Sequence, residues 1–294
     1  MTDTLVVGVA PDDVSRHVLA RARQDASRWE LDGVVALVVV EPPSFGWLWS
    51  SAREDTRSEL GAVRAAVAAG LDAGPAGTVV GERAPLVVRV VRGAPVARLT
   101  GLSAGAVGLY VGRGPADVLG AVALGCAFSA RCPVTLVPRE EARPARGPVV
   151  VGLDDSQCAR GAVEHAFEEG VRSGRPVLVV SVVDGPPGAA GPGSPLDRGG
   201  DVRRAVEVRS RATVHELVAH RPRGRRPEVT VEVFEGAPAA VLCDVARRVG
   251  ASVLVLGARG RGRAGGPGIP VGAVATRVLL RAPGAVRILR GASR

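Results

Sequence analysis

The amino-acid sequence repeats itself. Leu5-Val6-Val7-Gly8-Val9-Ala10 returns as Val149-Val150-Val151-Gly152-Leu153-Asp154, and Gly93-Ala94-Pro95 returns as Gly236-Ala237-Pro238. Leu109-Tyr110-Val111-Gly112-Arg113 returns as Leu254-Val255-Leu256-Gly257-Ala258. Gly8 to Gly152, Gly93 to Gly236 and Gly112 to Gly257 are 144, 143 and 145 residues apart. Three landmarks that keep nearly one offset mean that a whole folding unit is present twice. The 294 residues therefore divide into domains at 1–138 and 147–294. The charged, aperiodic segment Arg139–Arg146, with Pro144 inside it, reads as the linker.

Within each copy, short apolar runs alternate with helical stretches. In the second copy strands are expected near 148–152, 176–183, 228–233, 252–256 and 285–289, with helices near 157–172, 202–220, 238–249 and 272–281. The first copy repeats the order, with strands near 5–9, 34–40, 86–91, 107–111 and 134–137. Such alternation with right-handed crossovers gives a sheet with helices on both faces. The expected fold is α/β: two tandem doubly wound (Rossmann-like) domains, each with a five-stranded, mainly parallel sheet. Composition agrees, since aromatic residues are only 3% of the chain against 46% hydrophobic residues. Val, Leu and Ala must fill the cores, as they do in buried parallel strands.

Several chemistries are excluded. The net charge of +9 is carried by arginine alone, because the chain contains no lysine. A Walker-type phosphate loop, a Schiff base and a lysine general base are therefore out of reach. Cys126, Cys132, Cys158 and Cys243 form no CxxC pair, and His17, His165, His215 and His220 lack ligand spacing. The histidines read as surface or interface residues. No nucleophile–base pair or GxSxG elbow is seen, so a dedicated enzyme is not expected, slow hydrolysis of a bound nucleotide aside. No apolar run reaches the roughly 18 residues of a membrane span. The chain starts without a charged leader, so a cytoplasmic protein is expected. The Arg221–Arg226 and Gly260–Arg263 segments are basic, but no aromatic residues interleave with them. That pattern argues against nucleic acid as a partner beyond weak electrostatic binding.

The most informative segment follows the fourth strand of the second copy. Val253 to Leu256 runs into Gly257-Ala258-Arg259-Gly260-Arg261-Gly262-Arg263, and a helix begins near Gly272-Ala273-Val274. Glycines let backbone N–H groups converge on an anion, and a helix N-terminus adds a favourable dipole. Ligands of doubly wound sheets bind beyond the carboxyl ends of the strands, where the winding reverses. The Pro/Gly-rich run 184–200 after strand 2 reads as a connector, or as a flap over the strand ends.

These elements together resemble the universal stress protein family. Gly152-Leu153-Asp154-Asp155-Ser156 looks like its strand-1 motif, and Gly257-x2-Gly260 with Gly272-Ala273-Val274 is similar to its Gly-x2-Gly-x9-Gly-Ser/Thr loop. Ala282-Pro283-Gly284-Ala285-Val286 and Ala130-Arg131-Cys132-Pro133-Val134 resemble its last strand entry. The resemblance implies a stress-response protein that binds ATP, with Mg2+ as a companion ion, or a related adenine nucleotide. It implies that Gly152, Leu153 and Asp154 face the adenine–ribose end and that Val182 lines the base. Gly257, Gly260, Gly272, Ala273 and Val274 would cradle the phosphates, with Arg259 and Arg261 supplying charge. Two departures stand out: eleven residues rather than nine separate Gly260 from Gly272, and Ala273 replaces the hydroxyl residue. The first copy has Ala10 in place of the acidic residue and only the short loop Gly112–Gly120, so its site is degenerate. The alternative is a pair of degenerate copies acting as an interaction module. An unidentified signalling protein is the implied partner. The apolar last strands, Val134–Val137 and Val286–Leu289, are expected to pair the copies as an intramolecular pseudo-dimer, with a further homodimer as an option.

Overall fold

The computed structural model describes residues 3–10, 14–40, 84–114, 119–138, 145–184, 198–260 and 272–290. The run 184–200, the linker and Arg261 fall largely or wholly outside these residues. The chain separates into two compact units: one comprises Met1–Gly114 and Gly120–Arg139, and the other is built on Glu140–Arg294.

In the first unit β1 (Thr4–Val9), α1 (Val14–Arg28), β2 (Gly33–Val40), β3 (Leu86–Arg92), α2 (Pro95–Leu102), β4 (Gly108–Gly112), α3 (Ala121–Ser129) and β5 (Val134–Val137) follow one another. Its sheet has the order β3-β2-β1-β4-β5. All of these pairings are parallel.

The second unit repeats the pattern. It runs β6 (Val149–Gly152), α4 (Gln157–Ser173), β7 (Val177–Val183), α5 (Arg198–Ala219), β8 (Val229–Glu235), α6 (Pro238–Arg248), β9 (Val253–Gly257), α7 (Ala273–Arg281) and β10 (Val286–Leu289). Its order is β8-β7-β6-β9-β10, again parallel throughout. β6 pairs with β7 through Val149↔Val177 to Gly152↔Val180, and with β9 through Val149↔Val253 to Val151↔Val255. The winding reverses between these two neighbours, so the crevice for a ligand opens beyond the ends of β6 and β9.

Local chemistry sets the element boundaries. Val149, Val150 and Val151 are fully buried, as are Val253 and Val255, because helices cover both faces of the sheet. α4 starts where the Ser156 hydroxyl accepts a hydrogen bond from the Ala159 N–H at 3.1 Å. It stops at Gly174, whose φ of 63° is the left-handed conformation that glycine adopts freely. The core gathers Val151, Val163, Phe167, Val179 and Val255 from α4 and three strands.

Each unit also buries a carboxylate that the periodicity alone did not reveal. In the second, Glu169 Oε2 on α4 accepts from Arg287 Nη1 on β10 at 2.5 Å, with the two side chains 3% and 1% exposed. In the first, Asp25 on α1 is fully buried and accepts from Tyr110 Oη at 2.8 Å and Arg21 Nε at 2.9 Å. Asp25 and Glu169 are 144 residues apart, the repeat offset, and so are Arg21 and His165. The duplication kept the buried anion and moved its cation from the helix to the last strand.

His165 corrects the expectation of a surface histidine. It lies on α4 in contact with Arg287, whose Nη1 is 3.3 Å from its Nε2. Burial, then the charges of Arg287 and Arg172, push its pKa from the usual 6.5 down to about 3. The imidazole is therefore neutral and accepts from the guanidinium. Between those two values the unfolded chain binds a proton that the folded chain refuses. Stability is complete above about pH 6.5 and is lost as pH falls through the window, by at most about 1.4 kcal/mol per pH unit. His165→Gln should flatten this acid limb in urea midpoints measured from pH 7 to 4. An unchanged slope would mean that the proton uptake lies elsewhere.

Candidate functional site

The residues expected to form a site stand at the carboxyl ends of β6, β7 and β9 and at the start of α7. Their roles are not alike. Gly152 and Gly257 serve packing. A Cβ on Gly257 would lie 2.8–2.9 Å from the backbone and Cβ of Cys158, so glycine is what lets the first turn of α4 press against β9. A Cβ on Gly152 would meet Leu256 at 2.7 Å and Leu242 at 3.4 Å. Leu153 is buried and belongs to the core cluster, with its N–H donated to the Val180 carbonyl at 2.8 Å. Val182 lies two residues beyond Val180 on β7, half-buried and paired with Phe234 of β8.

Gly260 and Gly272 are drawn together. The Gly272 N–H donates to the Ala258 carbonyl at 2.7 Å, which closes the intervening loop at its base. A Cβ on Gly272 would lie 3.6 Å from the backbone nitrogen of Gly260 and 3.8 Å from Cα of Arg259. A Cβ on Gly260 would sit 2.6 Å from Asp154 Oδ2, within the space the carboxylate occupies. Asp154, Gly260 and Gly272 are thus neighbours beyond the ends of β6 and β9. Gly272 has no side chain to cap α7, and Ala273 and Val274 are exposed behind it. The first-turn N–H groups of a helix have no intrahelical acceptor and favour an anion. The nearest hydroxyl, Thr276 Oγ1, donates to the Gly272 carbonyl at 3.1 Å, so it does not stand in for the hydroxyl missing at position 273. Arg259 is exposed beside Gly260, and Arg261 lies outside the described residues.

Neighbouring residues fix the strand-1 turn. Ser156 N–H donates to Asp154 Oδ1 at 2.9 Å, and Asp155 forms an ion pair with Arg209 of α5. Among the described residues no group of three His, Cys, Asp or Glu side chains is arranged to hold a metal ion. No described helix is long and apolar enough to cross a membrane.

The first unit shows the same frame with other side chains. The Arg113 N–H donates to the Val137 carbonyl and the Gly120 N–H donates to the Arg113 carbonyl, as Ala258 does to Leu289 and Gly272 to Ala258. Arg113 therefore occupies the place of Ala258 and is 8% exposed. Ala10 occupies the place of Asp154. A buried cation replaces a methyl group, and a methyl group replaces the carboxylate.

Residues 146–290 match the model of the universal stress protein family. The second unit belongs to that family. A universal stress protein of Mycobacterium tuberculosis is 33% identical over 213 residues, spanning 68% of this chain and 63% of that protein. A second from the same species is 30% identical over 204 residues, spanning 66% and 65%. The chain thus matches less than two thirds of the length of these relatives. The crystal structure of a universal stress protein from Archaeoglobus fulgidus gives a TM-score of 0.65 at 18% identity, covering 99% of each chain. That likeness concerns the fold: two universal-stress-protein-like units in tandem.

Proposed function

We propose that this universal stress protein binds ATP, or a related adenine nucleotide, in its second unit and acts in a cytoplasmic stress response by presenting its bound state to a signalling partner. The observation that carries this reading is the close approach of Asp154, Gly260 and Gly272, where a single Cβ on Gly260 would collide with the carboxylate. The exposed N-terminus of α7 offers backbone donors for phosphate, and Val182 stands at the end of the adjacent strand for the base. Ala273 removes one hydrogen bond to a charged group, a loss of about 1.5–3 kcal/mol, or roughly tenfold or more in affinity. Arg259 beside Gly260 is the group that offsets it; Arg261 would add to its charge. Mg2+ would accompany ATP through the phosphates, since the described residues supply no cluster for it. Protein purified from cells, denatured and passed over an anion-exchange column should release an adenine nucleotide. A clean protein that also fails to bind added ATP would leave an interaction module as the function.

The role of Arg259 has its own test. Arg259→Gln should weaken ATP about tenfold and leave adenosine nearly unaffected, and the ATP preference should shrink with added salt. Equal losses for both ligands would remove the arginine from the phosphate site.

Pairing of the two copies through their last strands is proposed on the sequence alone. Separately expressed halves should then aggregate or associate, and Val134→Asp with Val286→Asp should loosen the pair in analytical ultracentrifugation. Two stable, monomeric and indifferent halves would overturn it.

A further inference from the structure

The hydrogen bonds at the start of α4 do more than cap a helix. The Ser156 hydroxyl uses both of its capacities: it accepts from the Ala159 N–H at 3.1 Å and donates to the Arg259 carbonyl at 3.3 Å. The Ser156 N–H holds Asp154 Oδ1 at 2.9 Å, and that carboxylate's other oxygen lies 2.6 Å from where a Cβ of Gly260 would be. Two residues of the strand-1 turn thus meet two consecutive residues, Arg259 and Gly260, that are 103 or more positions away in the chain. We propose that Asp154 and Ser156 form a clasp that fixes Arg259–Gly260 against the first turn of α4, so that the Gly260 amide is set in place before any ligand arrives. Asp154 and Ser156 are then positioning residues for the glycine loop, a role separate from contact with a nucleotide.

The repeat supplies an internal comparison. At the offset of 144, Ala10 stands opposite Asp154 and Asp12 opposite Ser156. Aspartate caps a helix as well as serine does, but its ionised carboxylate only accepts and cannot donate to a carbonyl. The first copy, with its shorter Gly112–Gly120 interval, carries an acceptor-only residue and a methyl group at the two clasp positions. That is the pattern expected if the clasp serves the long loop of the second copy and not the helix.

The test uses the full chain without nucleotide, and so does not depend on the nucleotide reading above. Trypsin cleavage after Arg259 reports opening of the clasp when reclosing is faster than cleavage. Ser156→Asp, which keeps the cap and loses the donor, should accelerate that cleavage about fivefold, the factor of one ordinary hydrogen bond. Asp154→Ala should do the same. Ser156→Thr, which keeps donor and acceptor, should cleave as the wild type does, and cleavage after Arg248 at the end of α6 should not change in any variant. Wild-type cleavage after Arg259 in Ser156→Asp, or uniform acceleration at every arginine, would overturn the clasp. Failure of ATP to bind with these rates as expected would overturn only the nucleotide reading.

Discussion

Gly260→Val should abolish the thermal stabilisation that ATP confers on the protein while leaving the nucleotide-free fold nearly as stable as the wild type. The new Cβ would lie 2.6 Å from Asp154 Oδ2, and moving that carboxylate strains its hydrogen bond from the Ser156 N–H, a cost of about 1 kcal/mol. The valine side chain would still take up space where Asp154 and Gly272 approach Gly260. A ligand at about 100 times its dissociation constant stabilises a fold by about 2.7 kcal/mol, and all of that should vanish. Asp154→Ala should act in the same direction by removing the carboxylate. Asp12→Ala in the first copy should leave the ATP response intact, because Ala10 stands there in place of Asp154. Thermal melts with and without ATP decide it: a full ATP shift in Gly260→Val would place the nucleotide elsewhere.

The largest loss of stability is expected at the buried ion pair. Removing one partner of such a pair leaves an uncompensated buried charge, at a cost of about 3–5 kcal/mol. Glu169→Leu should strand the Arg287 guanidinium, which is 1% exposed and also approaches His165 Nε2 at 3.3 Å. Replacing both residues, Glu169→Leu with Arg287→Met, should recover most of the loss, since two apolar groups of similar size need no solvation. The exposed pair Arg211–Glu207 on α5 provides the contrast, and breaking it should cost under about 1 kcal/mol. Urea midpoints of the three variants against the wild type measure these differences. A double variant as unstable as the single one would mean that the site depends on its charges and not on their mutual cancellation.

Much of this architecture is legible in the amino-acid sequence, and the reasons are physical. Val-rich runs buried on both faces and bounded by glycine or proline leave little freedom for strand ends. The expected strands 134–137 and 176–183 accordingly differ from those observed by no more than a residue. The start of α5 was expected at 202 and lies at Arg198, because the Arg-Gly-Gly-Asp turn that opens it has no apolar periodicity to read. Within the site, the glycines were found but their roles were not separable. Gly257 makes room for α4 and Gly260 makes room for a carboxylate, yet both are simply places where a Cβ is missing. The Glu169–Arg287 pair stayed hidden because its partners are 118 positions apart and Arg287 sits alone in an otherwise apolar strand. The one available signal was the carboxylate that recurs at the repeat offset, Asp25 and Glu169, on helices that otherwise turn apolar faces to the sheet.

The central claim is that one of the two copies holds the nucleotide. Isothermal titration of ATP into the nucleotide-free full chain measures that directly. The account predicts one site per chain, lost in Gly260→Val and preserved in Asp12→Ala. Two sites per chain, or a single site that survives Gly260→Val, would contradict it.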